Sequence, residues 1–226
     1  TEPYLTLAGQ SAPGDGVCIA NYDVRVNRTH DIIIKYLRFR PGDDVGRALQ
    51  KDGLAWQTDA LAIYASQDVI VDHCSASWGN DEIISLTGVN LDRVTVQWSI
   101  IAEALNNSTH EKGRHGYGSI VGGHIGHGKV ARLTLHHNMW AHNLIRNPHF
   151  AGDRSGKAPG SNTDFRNNVI YDWGRLASHN YTPQYTKVNS VGNYLKPGPS
   201  TNEKARRVGL TGGSDNGHFY LEGNLL

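Results

Sequence analysis

The chain has one methionine, two cysteines and no long apolar run, and only 19% of its 226 residues are charged. Each scarcity excludes something. Two cysteines cannot build a disulfide scaffold, and Cys18 and Cys74 both sit in apolar, strand-like surroundings that read as sites of buried free thiols. No apolar stretch approaches the roughly 20 residues of a membrane-spanning helix. The net charge of +1 gives no overall pull on a polyanion, so any such attraction must come from local pairs such as Arg38 with Arg40 or Arg146 with Arg154. Helical periodicity is nearly absent, and Ile100 to Leu105 is the one short candidate. There is neither an initiating methionine nor a signal peptide, and Thr1 to Leu7 already reads as a strand. The chain is therefore expected to begin inside a larger gene product, as one domain spanning 1–226.

Glycine, by contrast, is abundant at 26 of 226, above the usual share of about 7%, and asparagine is plentiful. Together they point to many turns and few long helices. Hydrophobic residues at 38% suffice for a packed core.

Seven segments repeat one pattern of apolar, any, apolar, two variable residues and a small polar residue. They begin at Ile32, Val69, Val94, Leu133, Thr163, Val188 and Phe219. The sixth slot holds Leu37, Cys74, Ser99, Asn138, Asn168, Asn193 and Asn224, at successive spacings of 37, 25, 39, 30, 25 and 31 residues. A minimum near 25 with variable additions suits a three-strand coil whose loops differ in length. One coil cannot bury its apolar face alone and must stack on its neighbours. A column of asparagines at a tight bend can hydrogen-bond from coil to coil. An antiparallel sandwich would need shorter, more even spacing. The expected fold is all-β, a right-handed parallel β-helix. The repeat also runs into the last residues, Glu222 to Leu226, so a solenoid lacking one or both caps is expected. Long turn-rich insertions at 40–56, 106–129 and 152–162 are where function is expected.

Several phrases then carry a resemblance. They are Tyr4 to Gly14 (YLTLAGQSAPG), Arg38 to Asp43 (RFRPGD), Asp72 to Glu82 (DHCSASWGNDE), Val94 to Glu103 (VTVQWSIIAE) and His136 to Pro148 (HHNMWAHNLIRNP). In that order they resemble bacterial pectate lyases of polysaccharide lyase family one, over Thr1 to about Tyr171. The resemblance implies a right-handed parallel β-helix that binds Ca²⁺ and cleaves polygalacturonate by β-elimination. Such chemistry needs a cation on the C6 carboxylate, a base at C5 and positive groups to hold the polyanion.

Residue by residue, Asp59 and Asp81 resemble the family's calcium aspartates, and Glu82 is a further candidate. Gln57 and Ser85 stand where more carboxylates would be expected, which suggests weak binding that is completed by substrate. Arg146, in Arg-Asn-Pro148, resembles the catalytic arginine. A guanidinium normally stays protonated, so Arg146 would act either as a base or by stabilising the anion. The partner arginine expected three residues after the proline is replaced by Ala151. Arg154 or His149 is the candidate substitute, and Lys112, or His115 or Arg114 in its place, a candidate substrate grip. No His/Cys spacing matches a structural zinc site, and His136 and His137, as strand neighbours, should face opposite ways. A Ser-His-Asp hydrolase from Asp72, His73 and Ser75 would require strand neighbours to converge. Among the tryptophans that could stack on sugars, Trp98 is expected to pack inside the coils, unlike Trp78 and Trp140.

The expected function is a pectate lyase. Two alternatives are a polygalacturonase, which needs convergent aspartates, and a non-catalytic β-helix that binds acidic glycans. The expected partner is acidic polysaccharide, with no nucleic acid or membrane. The protein is expected to be a monomer, secreted or periplasmic.

Overall fold

A computed structural model of the chain describes residues 2–125, 129–152, 160–181, 185–213 and 217–226. The described strands form three sheets of eight, seven and seven, and neighbouring strands in each sheet are always three apart in sequence. Each coil gives one strand to each sheet in turn. Gln67–Asp72 lies in the first, Ser75–Ser77 in the second and Glu82–Thr87 in the third. Pairing between coils is parallel, and the molecule is a parallel β-helix.

The repeat register is visible in the pairing. Ile32 pairs with Val69, Val69 with Val94, Val94 with Leu133, Leu133 with Thr163, Thr163 with Val188, and Val188 with Phe219. Alternate residues of these strands, such as Val69 with Val71 and Leu133 with Leu135, are buried in one continuous core. Burying each such side chain contributes about 1.5–3 kcal/mol.

The bend after each of these strands has its own device. The fifth slot (Tyr36, His73, Trp98, His137, Asn167, Gly192 and Gly223) is left-handed in all seven repeats, with φ between 49° and 64°. The sixth slot then ties the coils together. The backbone N–H of Cys74 donates to Ser99 Oγ at 3.1 Å, and that of Ser99 to Asn138 Oδ1 at 3.0 Å. Asn138, Asn168 and Asn193 each donate their N–H to the next asparagine Oδ1 at 2.9–3.0 Å. The side-chain amides return to the carbonyls of Val96, Leu135 and Phe165. The strain of a non-glycine residue in the left-handed region, about 1–2 kcal/mol, is offset by this ladder of buried bonds.

Four expectations are corrected. The α-helix is Asp44–Lys51, inside the 40–56 insertion, while Ile100–Ala102 is a strand. Trp98, at the outward-turned fifth slot, is half exposed and stacks between His73 and His137, whereas Trp140 is fully buried and donates from Nε1 to Ser119 Oγ. Cys18 is exposed rather than buried, and both thiols are free. His136 and His137 do meet, Nδ1 to Nδ1 at 2.8 Å, because the left-handed His137 breaks the strand alternation. Asp72 and His73 likewise meet at 2.7 Å, but the Ser75 hydroxyl accepts from Arg40 instead. No helix among the described residues is long and apolar enough to cross a membrane.

Candidate active site

Three carboxylates converge on the outer face of the third sheet. Asp59 lies just before the strand Leu61–Tyr64, and Asp81 just before Glu82–Thr87, which Glu82 opens. Because these two strands pair in register, Ala62 with Ser85, the carboxylates of successive coils are brought together. One oxygen from each lies within 4.8 Å of the others. Asp59 Oδ1 accepts from the Glu82 N–H at 3.0 Å, and the Ser85 side chain bonds the same carboxylate. Burial, reinforced by the charge of Asp81, pushes the Asp59 pKa up to about 7 despite the Ser85 bond. Burial acts the same way on Asp81. There the hydrogen bond from His115 (Nε2 to Oδ1, 2.7 Å) and the charges of His115, His110 and Arg146 prevail, holding it below the usual carboxylate range.

Arg146 joins this cluster from the next coil. Its φ of 63° turns the chain so that its carbonyl accepts from the Ser119 N–H at 2.6 Å. Gly118 is needed beneath it, since a Cβ there would lie 2.5 Å from that carbonyl oxygen. The guanidinium donates to Glu82 Oε1 and lies 4.4 Å from the centre of the Tyr117 ring.

These groups line one open cleft of about 400 Å³. It brings together Asp59, Asp81, Glu82, Lys112, His115, Arg146 and His149 from the sequence-derived candidates. Arg154 lies outside the described residues, while Ala151 is buried and offers no charge. Arg40 is used elsewhere, over Trp78 and bonded to Ser75. Arg25, Tyr117 and His110 were not legible as site residues. Arg25 had a signal, being the polar residue of an alternating Val-Arg-Val strand; it lines the cleft beyond Asp59.

The donor set fits a hard cation. Two oxygens that share one Ca²⁺ at about 2.3–2.6 Å stand at most about 5 Å apart, a limit the three carboxylates meet. The raised pKa of Asp59 comes mainly from burial, with the neighbouring charge of Asp81 adding to it. Asp81 also lies near His110 and His115, but this trio is poorly built for zinc. The two imidazoles stack 4.0 Å apart and nearly parallel, so both ring planes cannot contain one ion. His110 Nδ1 accepts from the Lys112 N–H, which leaves the ring proton on Nε2, the nitrogen facing Asp81.

Along the helix axis one outward row runs from Arg25 through Ala62, Ser85 and Ile120 to His149 and His179. The His149 and His179 rings stack at 4.6 Å. His179 is fully buried, and neither ring nitrogen has a hydrogen-bond partner among the described residues. Burial, His149 and the charges of Arg146 and Arg175 push its pKa down to about 2. Its folded-state value is depressed, so its contribution to stability is complete above the unfolded value near 6.5 and is lost as pH falls towards 2. Over that window the slope approaches about 1.4 kcal/mol per pH unit. Asp59, with its pKa raised to about 7, contributes with the opposite sign over the same range, so the effect is read as a difference: between urea melts at pH 7 and pH 5, His179→Phe should lose less stability, or gain more, than the parent. An unchanged slope in that variant would assign the effect to another group.

A parallel β-helix with a cation-compatible carboxylate cluster and an arginine in one cleft is the class of protein that fold and site define. No protein-family model matches the chain. It is 35% identical over 222 residues to a protein of Aspergillus flavus named probable pectate lyase C, covering 97% of this chain and 44% of that one. The protein of the same name from Emericella nidulans is 35% identical over 220 residues, covering 97% and 43%. Among solved structures, a pectate lyase of Bacillus sp. N165 in complex with trigalacturonate superposes with a TM-score of 0.61 at 15% identity, covering 91% of this chain and 59% of that one. That likeness speaks for the fold. The chain belongs to the pectate lyase family, and it spans somewhat under half the length of these curated relatives.

Proposed function

We propose that the chain carries the active site of a pectate lyase that cleaves polygalacturonate by calcium-assisted β-elimination. The observation that supports this most is the meeting of Arg146 with Asp59, Asp81 and Glu82 in one open cleft. Asp59, Asp81 and Glu82 would hold the ion, with an oxygen of the substrate completing the set. A bound Ca²⁺ would neutralise the C6 carboxylate of a galacturonate and make its C5 proton more acidic. Arg146 acts at C5. While paired with Glu82 its guanidinium is held cationic, which suits it to stabilise the developing carbanion. With Glu82 turned towards the other carboxylates, Arg146 loses that counter-ion, its guanidinium gives up a proton to solvent more readily, and the neutral guanidine so formed would take the proton from C5. The C4–O bond then breaks, its electron pair leaves with the oxygen, and a C4=C5 double bond remains. Lys112 and His149 contribute positive or polar edges of the cleft that would bind neighbouring uronates. The relatives' names and the trigalacturonate bound by the Bacillus protein support an acidic polysaccharide as substrate. We also infer a secreted or periplasmic monomer.

One observation favours a second reading. A polygalacturonase needs convergent carboxylates, and here three converge beside the Arg-Asn-Pro loop, a proximity not visible in the sequence. Their spacing within 4.8 Å is closer than the roughly 5–9.5 Å between carboxyl groups in glycoside hydrolases, which favours cation binding. Incubation with polygalacturonate, followed by ultraviolet absorbance of unsaturated uronates with calcium or with chelator, separates the two. The expected result is a rise in absorbance that chelator abolishes. Reducing ends without that rise would mean hydrolysis, and neither signal from folded protein would leave only glycan binding.

A further inference from the structure

An arginine that acts at a carbon must be held in plane and in place, and its four side-chain torsions work against that. Glu82 restrains the charge of Arg146 from one side. The guanidinium meets a second restraint, the Tyr117 ring, with Cζ lying over it 4.4 Å from the ring centre. That ring is not isolated. His115 packs against it at 3.8 Å, tilted by 43°, and His110 stacks on His115 at 4.0 Å and 9°. Three rings and the guanidinium thus form one column.

The far end of the column is fixed to the body of the protein. Thr109, next to His110, donates its hydroxyl to Asp43 Oδ1 at 2.6 Å and its N–H to both carboxylate oxygens at 3.2 Å. Asp43 occupies the N-cap position of the helix Asp44–Lys51, where an aspartate ordinarily caps its own helix. Here its side chain makes no cap bond and serves Thr109 instead. Gly46 allows the close approach, since a Cβ would lie 2.1 Å from Thr109 Oγ1. The helix, which otherwise buries only this glycine, therefore acts as a buttress for the loop.

We propose that Tyr117 is a positioning residue for Arg146, held by the column His110–His115–Tyr117 that Asp43 and Thr109 anchor to the helix. The catalytic part of this inference rests on the lyase reading of the cleft, while the positioning part does not. Tyr117 presents its ring, not its hydroxyl, to the guanidinium, so the ring alone should be required.

The test uses the full chain and two independent readouts. The first is the ring-current displacement of the Arg146 side-chain protons in NMR spectra. It should persist in Tyr117→Phe and vanish in Tyr117→Leu. The second is steady-state turnover of polygalacturonate with calcium. Tyr117→Phe should stay within about twofold of the parent, as the ring is retained. Tyr117→Leu should lose about 30- to 100-fold in kcat with KM changed less than threefold, as expected when a transition-state contact is misplaced. Should the leucine variant not fold, Thr109→Val tests the anchor with its shape preserved. It should lower kcat about five- to tenfold and narrow the Arg146 ring-current displacement. Equal turnover in the leucine and phenylalanine variants, or equal loss in both, would overturn the proposal. So would an Arg146 signal that does not respond to Tyr117→Leu, or to Thr109→Val where that variant is the one tested. A parent protein that shows the displacement but makes no unsaturated product would defeat the lyase reading while the positioning stands.

Discussion

Arg146→Lys should reduce the release of unsaturated products from polygalacturonate by about 10²–10³-fold, the usual scale for losing one charge-stabilising donor. Lysine keeps a positive charge beside the buried Glu82, so the fold should survive. What it loses is the planar fork and the stacking face that Arg146 offers to Tyr117. Alanine at the same place is a poorer probe. It would leave the Glu82 carboxylate buried and unpaired, at a cost of about 3–5 kcal/mol. The measurement is the ultraviolet progress curve at saturating substrate, with a thermal melt on the same sample. A lysine variant that retains more than a tenth of the parent rate would remove Arg146 from the chemistry, and His149 or His115 would become the next residues to test.

The second large effect concerns the ladder rather than the cleft. Asn168→Leu should destabilise the protein by about 3–6 kcal/mol, since several buried polar groups lose their partners at about 1–3 kcal/mol each. The Asn138 N–H and side-chain amide would lose Asn168 Oδ1, and the Leu135 carbonyl would lose the Asn168 amide. Asn193 Oδ1 would keep only the backbone donor of residue 168. Such a loss is comparable to the whole stability of a typical domain. Urea unfolding followed by circular dichroism measures it, and a change below about 1 kcal/mol would mean that the neighbouring coils re-form the bonds among themselves. Asn224, nearer the end of the column and only partly buried, should tolerate the same change better.

The two corrections that matter most for function have one origin. Strand alternation assigns a side chain to a face only while the backbone stays extended. At the fifth slot all seven repeats are left-handed, so Trp98 and His137 point outward although the flanking pattern suggests otherwise. The helix Asp44–Lys51 carries a helical apolar spacing, Val45, Ala48 and Leu49, but over only eight residues inside a turn-rich insertion, and only Gly46 is fully buried. Its place is set by the distant contact between Asp43 and Thr109.

The amino-acid sequence by itself determined the coil register, the core-facing residues and the asparagine column. All three follow from side-chain direction along an extended chain, which is a local property. It also pointed, through its motifs, to Asp59, Asp81, Glu82 and Arg146. Only the tertiary structure decided that these four meet in one cleft, that His115 holds Asp81, and that Tyr117 lies beneath Arg146. Those contacts join residues of different coils whose loops vary in length. Which side chains they bring face to face depends on how the coils stack, and no local pattern records that.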